Sequence, residues 1–175
     1  MLTIQHLYCI MCRIWKNADM NGGIGMIDRF ERFSFLISEV SRSWHKITSD
    51  EMAKHGLKGP HSVYLMTMLR FPDGITAPQL CELCGKDKSD VSRMMAIMEK
   101  KGFVVKEGVH QNLYRGGFKL TPAGVEAAES VRQRASLAVE LAGEVVGEQN
   151  RAIFYESFEI ISNNLREISK NGLPE

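Results

Sequence analysis

The sequence predicts a mainly α-helical fold with one small β-hairpin, its short central helices flanked by long helices at both ends. Three observations carry that prediction. Apolar residues recur at steps of three and four in long runs near both ends of the chain. Gly, Pro and Thr-Pro breaks divide the middle into short helical pieces, and only two short segments around a loop have strand character. At 175 residues, 44% hydrophobic and 25% charged, the chain can bury a core without disulfides or a structural metal.

Each element has its own warrant. Ile4, Leu7, Met11 and Ile14 mark a short amphipathic helix within residues 1–25, which read as an N-terminal extension closed by the breaker cluster Asn21-Gly22-Gly23-Ile24-Gly25. No basic leader, small-residue cleavage site or apolar run long enough to span a membrane is present, so neither a signal peptide nor a membrane anchor is expected. A cytoplasmic location and reduced thiols follow. Ile27, Phe30, Phe33, Ile37, Val40, Trp44 and Ile47 then define a long helix. A second helix follows Gly59-Pro60 and stops at Pro72-Asp73-Gly74. Thr76 starts a short helix that runs from Ala77 to Cys84, Gly85 turns the chain, and a fourth helix spans about Ser89 to Lys101. Phe103-Val104-Val105 and Gly117-Phe118-Lys119-Leu120 read as the hairpin strands. Thr121-Pro122 caps the next helix, whose stripe is Val125, Ala128, Val131, Ala135, Ala138, Leu141 and Val145. A break near Gly147 precedes a last helix with Phe154, Phe158, Ile161, Leu165 and Ile168. The outer stripes exceed what a core of this size covers, and a second copy of the chain is the expected cover.

Charge is distributed unevenly. The net charge is only +1, yet residues 86–119 hold eight Lys/Arg against four Asp/Glu, whereas residues 120–175 hold five against nine. The positive segment coincides with a helix-turn-helix spacing. Cys81 is small enough for a steep helix crossing, Gly85 tolerates a left-handed turn, and Val91 plugs the crossing, with Leu80, Cys84 and Met94 completing the inner face. An ordinary αα-corner shares all of that packing. The surface separates the two: Ser89, Asp90, Ser92 and Arg93 face outward at the start of the second helix, where short polar groups and arginine suit base edges in a major groove. Lys86, Lys88, Lys100, Lys101 and Lys106 surround them as phosphate neutralisers, and Arg115 sits near the hairpin turn. Duplex DNA is the partner this pattern implies. A winged-helix adaptor that binds protein rather than DNA is the alternative from another class.

The run Asp87-Lys88-Ser89-Asp90-Val91-Ser92-Arg93, then Met98-Glu99-Lys100-Lys101-Gly102-Phe103-Val104 and Leu120-Thr121-Pro122-Ala123-Gly124, resembles the MarR family of bacterial regulators over about residues 27–170. The resemblance implies a winged helix-turn-helix over 59–120, with residues 26–58 and 121–175 as dimerisation helices. It further implies a homodimer on a pseudo-palindromic operator and regulation of transcription, with ligand-responsive repression expected. In the family an effector pocket for small aromatic ligands forms beside the dimerisation helices, which makes Trp44, His45, His61 and Tyr64 candidate lining residues. Two positions depart from the pattern: the usual wing aspartate and arginine fall on Asn112 and Tyr114, and Asp90 stands where threonine is common. Asp90 either reads a cytosine amine or caps the helix, and the cap is the expected role.

Cys9/Cys12 and Cys81/Cys84 form two C-x-x-C pairs too far apart for a common zinc-site spacing, and cysteines at i and i+3 share a helix face. Packing is their expected role, with a thiol-based redox sensor as the competing one. No metal, cofactor or enzymatic activity is expected, since no phosphate-binding loop, dinucleotide fingerprint, metalloprotease or nucleophile-elbow motif occurs.

Overall fold

The computed structural model describes residues 29–107 and 117–173. The expected N-terminal extension and the hairpin loop, with Asn112, Tyr114 and Arg115, lie outside the described residues. In order the elements are α1 (Arg29–Lys54), α2 (His61–Leu69), α3 (Ala77–Cys84), α4 (Lys88–Lys100), β1 (Val104–Glu107), β2 (Gly117–Leu120), α5 (Pro122–Gly143) and α6 (Glu148–Asn171). The fold is mainly helical with one two-stranded antiparallel hairpin, in the order predicted from the sequence. The boundary between two compact units falls within α1, between Lys46 and Ile47.

From Ile47 onward the chain builds one core. Helix α2 packs against α5, and α4 lies against α3 and β1. Met52, Tyr64, Leu65, Met68, Leu80, Val91, Met95, Met98, Val104, Ala127, Ala128 and Val131 fill the space between them. The small side chains Ala127 and Ala128 let α5 approach α2 closely. Here the sequence expectation needs a correction: Val125, assigned to the buried stripe of α5, is exposed, and the buried face runs through Gly124, Ala127, Ala128, Val131 and Ala135. Ala128, Val131 and Ala135 of the expected stripe are buried, whereas Leu141 and Val145 are exposed like Val125; Gly124 and Ala127 were missed because glycine and alanine carry a weak apolar signal.

The start of α5 explains the Leu-Thr-Pro-Ala-Gly run. Thr121 Oγ1 accepts from the Gly124 amide at 3.1 Å and donates to Gly102 O at 2.6 Å, so one hydroxyl caps α5 and ties it to the end of α4. A Cβ at Gly124 would stand 2.0 Å from Phe103 O, so only glycine permits this approach. Glu51 makes a second tie: buried near the end of α1, it accepts hydrogen bonds from Lys54 and from Ser130 of α5.

In the hairpin Val104 pairs with Leu120 and Glu107 with Gly117. Sequence reasoning missed a third participant. Ile75 and Phe118 exchange backbone hydrogen bonds of 3.0 and 2.8 Å, anchoring the hairpin base to the segment before α3.

Helix α6 buries none of its residues. Phe154, Phe158, Ile161, Leu165 and Ile168 are exposed along its length, and Phe154 stacks on Phe158 with ring centroids 5.5 Å apart. In the unit before Ile47, Phe33, Ile37, Val40 and Trp44 are likewise exposed along α1.

Candidate nucleic-acid interface

The site is built from α3, its turn and α4. Thr76 opens α3 with a reciprocal cap: its side chain accepts from the Gln79 amide, and the Gln79 side chain accepts from the Thr76 amide at 2.9 Å. Gly85 ends the helix at φ 61°, the left-handed conformation that favours glycine, and Lys86 N–H closes the turn on Cys81 O at 3.0 Å. The chain is thereby re-aimed within three residues into α4.

Helix α4 is capped by Asp87, whose carboxylate accepts from the Asp90 amide at 2.8 Å. This corrects the expectation that Asp90 is the cap. Asp87 sits one turn earlier, in the extended backbone an N-cap requires, and leaves the Asp90 side chain for other partners. Val91, Met95 and Met98 face the core at 1% exposure or less, and Met94 is half-buried. Ser89, Ser92 and Arg93 are exposed on the opposite face, with Lys86 and Lys88 exposed at its start and Lys100 and Lys101 at its end. The burial pattern therefore leaves one end of α4 polar, basic and open, as a surface that meets a polyanion requires.

Two side chains of α4 and one from the core beneath it act as one group. Tyr64 of α2 is fully buried, and its hydroxyl donates to Asp90 Oδ2 at 2.6 Å. Arg93 Nη2 donates to Asp90 Oδ1 at 2.6 Å. Burial, then the Asp90 carboxylate, pushes the Tyr64 phenol well above its ordinary value, so it stays protonated and donates. The hydrogen bond from Tyr64, then that from Arg93, holds the Asp90 carboxyl below the usual aspartate range. Residues 64 and 90 are remote in sequence, and no spacing rule connects them.

Lys101 has a partner that sequence reasoning also missed. Its Nζ donates to Gly56 O at 2.8 Å, closing the chain beyond α1, while Lys100 at the neighbouring position pairs with no side chain among the described residues. Within the hairpin, Lys106 lies 5.9 Å over the ring of its cross-strand partner Phe118.

The residues expected to line an effector pocket belong to both units. Tyr64 belongs to the core beneath α4. His61 is 3% exposed, with Nδ1 on the Lys58 backbone and Nε2 without a hydrogen-bond partner among the described residues. Trp44 and His45 are exposed in the unit before Ile47, where His45 Nδ1 contacts Ser41 O at 2.6 Å. Cys81 and Cys84 are half-buried against the core, as packing residues would be. Burial pushes the Cys84 thiol up, which opposes the thiolate a redox sensor needs and outweighs the hydrogen bond between its Sγ and Thr67 Oγ1 at 3.4 Å, which acts the other way. Among the described residues no group of three or more His, Cys, Asp or Glu is placed to hold a metal, and no helix is long and apolar enough to cross a membrane.

Comparison with known proteins meets this geometry. Residues 55–110, from the end of α1 into the hairpin, match the model of the MarR family. No curated protein sequence matches the chain. Among solved structures, a MarR protein from Peptoclostridium difficile superposes with a TM-score of 0.72 at 17% identity, over 84% of this chain and 96% of that one. A MarR family transcriptional regulator from Listeria monocytogenes, solved in complex with a 26mer DNA, gives 0.69 at 18% identity, over 79% and 94%. A MarR transcriptional regulator from Methanosarcina mazei gives 0.69 at 20% identity, over 79% and 99%. The chain has the winged-helix fold of these MarR structures, and the family match takes in the α4 motif within residues 55–110.

Proposed function

We propose that this chain is a MarR family transcriptional regulator that binds duplex DNA as a homodimer and is not an enzyme. The observation that carries the reading is the division of α4. Its Val91, Met95 and Met98 face is sealed in the core, while Lys88, Ser89, Ser92 and Arg93 stand exposed together at its N-terminal end. A helix held this way by a preceding helix and a tight turn can enter a major groove with its first turns. The positively charged segment 86–119 supports contact with phosphates on either side. A related fold from Listeria monocytogenes was solved with DNA, in line with this use of the scaffold.

Residues 59–120 serve as the DNA-binding domain, and 26–58 with 121–175 as dimerisation helices. The exposed stripes of α1 and α6 support a two-fold assembly, which presents two copies of α4 to the half-sites of a pseudo-palindromic operator. Lys86, Lys100, Lys101 and Arg115 contact the backbone in this reading. The outcome on transcription is repression, relieved by a small aromatic ligand, and the protein acts in the cytoplasm.

Selection of bound duplexes from a random pool, followed by affinity measurement across a salt series, tests the function. A recovered two-half-site sequence and a linear fall of log affinity with log salt are expected. Absence of any duplex binding would replace the regulator with a protein–protein adaptor.

A further inference from the structure

We propose that Asp90 is a positioning residue for Arg93: seated by the buried Tyr64 hydroxyl, its carboxylate presents the guanidinium on the open face of α4 and so sets base discrimination. The proposal deepens the DNA-recognition reading of α4 and rests on it.

The geometry runs from the core outward. Tyr64 is fully buried, so its hydroxyl needs a partner inside the fold, and Asp90 Oδ2 at 2.6 Å is that partner. If the carboxylate swung out to solvent it would orphan a buried hydroxyl, which holds Asp90 in place. The Asp90 amide is meanwhile fixed on Asp87 Oδ1 at 2.8 Å. With backbone and one oxygen held, the second oxygen has a defined position, and Arg93 Nη2 meets it at 2.6 Å. Exposure rises along the chain of contacts, from a sealed phenol to a 21% exposed aspartate and a 63% exposed arginine. A flexible surface cation is thus tied through two hydrogen bonds to the rigid interior of α2.

The tie leaves the arginine able to read. A guanidinium carries five N–H donors, and the contact with Asp90 uses one. Two of the rest suffice for the paired acceptors O6 and N7 of guanine. Asp90 also offsets the arginine charge next to the groove, which weakens attraction to any phosphate. Its two effects point in opposite directions: less affinity for random duplex, more discrimination between duplexes. Loss of a negative charge beside the groove raises random-duplex affinity whatever the aspartate does, so the separating signature is discrimination lost only while Arg93 is present. Replacing a purely structural aspartate leaves discrimination unchanged, and replacing one that itself contacts a cytosine amine loses it with or without Arg93.

The test measures full-length protein on a selected duplex and on random duplex of equal length, with Asp90→Asn, Tyr64→Phe, Arg93→Ala and the double variant Asp90→Asn/Arg93→Ala. Asp90→Asn is expected to bind random duplex more tightly, with a salt slope steeper by about one unit as Arg93 turns to a phosphate. Discrimination falls by about tenfold, within the range of one bidentate base contact. Tyr64→Phe, which keeps the ring and removes the hydroxyl, shifts both quantities the same way by less. In the Arg93→Ala background Asp90→Asn brings no further loss of discrimination. Thermal unfolding accompanies each variant, and the isosteric Asp90→Asn change keeps the test valid where Tyr64→Phe loosens the core. If Arg93→Ala loses discrimination and Asp90→Asn behaves as the parent, positioning is overturned while DNA recognition stands. Additive losses from the two changes also overturn it, since Asp90 then reads DNA independently. A parent protein that discriminates between no duplexes removes both readings.

Discussion

Helices α4 and α6 are both amphipathic, and they end in opposite states. Helix α4 presses Val91, Met95 and Met98 into the core at 1% exposure or less, whereas Phe154, Phe158, Ile161 and Leu165 of α6 stand 39–55% exposed. An apolar stripe at helical spacing states that a face seeks cover and says nothing about where the cover comes from. For α4 the same chain supplies it through α3, β1 and the core of α2. For α6, four large apolar side chains in successive turns form a continuous exposed strip, which a monomer rarely carries and a two-fold partner would bury.

The sharpest way to break this contrast is to place a charge on the open stripe. Phe158→Asp is expected to leave the winged-helix unit folded and to yield a monomer in sedimentation. Loss of bivalent engagement lowers affinity for a two-half-site duplex on the order of a hundredfold or more. A dimer that persists would show that α6 is not the interface. A truncation in the core of α2, against which α4 packs, should act through folding instead. Leu65→Ala removes a side chain with 0% exposure and is expected to cost about 2–5 kcal/mol of stability in denaturant titration. The matching change Leu165→Ala should lower the unfolding midpoint only in proportion to the dimer present, so its effect depends on protein concentration.

Smaller effects separate two neighbouring lysines at the C-terminal end of α4. Lys101→Ala removes the hydrogen bond to Gly56 O and is expected to lower stability by about 0.5–1.5 kcal/mol, whereas the neighbouring Lys100→Ala leaves stability within about 0.5 kcal/mol. Equal unfolding midpoints for the two variants would mean that the Lys101 contact contributes nothing in solution.

The smallest expected effect is on pH dependence. The hydrogen bonds from Lys54 and then Ser130 hold the Glu51 carboxyl below its ordinary value of 4.5. The folded state therefore binds this proton less readily than the unfolded chain. Its stabilisation is fully present above about pH 4.5 and is lost as pH falls through the lower folded value. Asp90 acts in the same direction from its ordinary value of 3.8. Glu51→Gln should lower stability at neutral pH and flatten the acid limb of a midpoint-against-pH curve. An unchanged acid limb would refute the Glu51 contribution.

Much of this molecule is determined by local rules that the sequence states directly. Thr76 with Gln79 and Thr121 with Gly124 satisfy helix ends within three residues, and Gly85 turns the chain at a left-handed position. The inward face of α4 was legible for the same reason: a 3.6-residue period and a short list of side chains leave one solution. The stripe of α5 was misjudged at Val125, because the packing against α2 selects small residues whose apolar signal is faint. Tertiary structure alone decided the contacts between distant residues. Ile75 joins the hairpin at Phe118, Lys101 reaches Gly56, Ser130 reaches Glu51, and the buried Tyr64 reaches Asp90. Such pairs depend on how helices are stacked, and a side chain's partner across a helix interface has no fixed sequence offset. That is why the polar face of α4 could be read from the sequence, while the support behind its arginine could not.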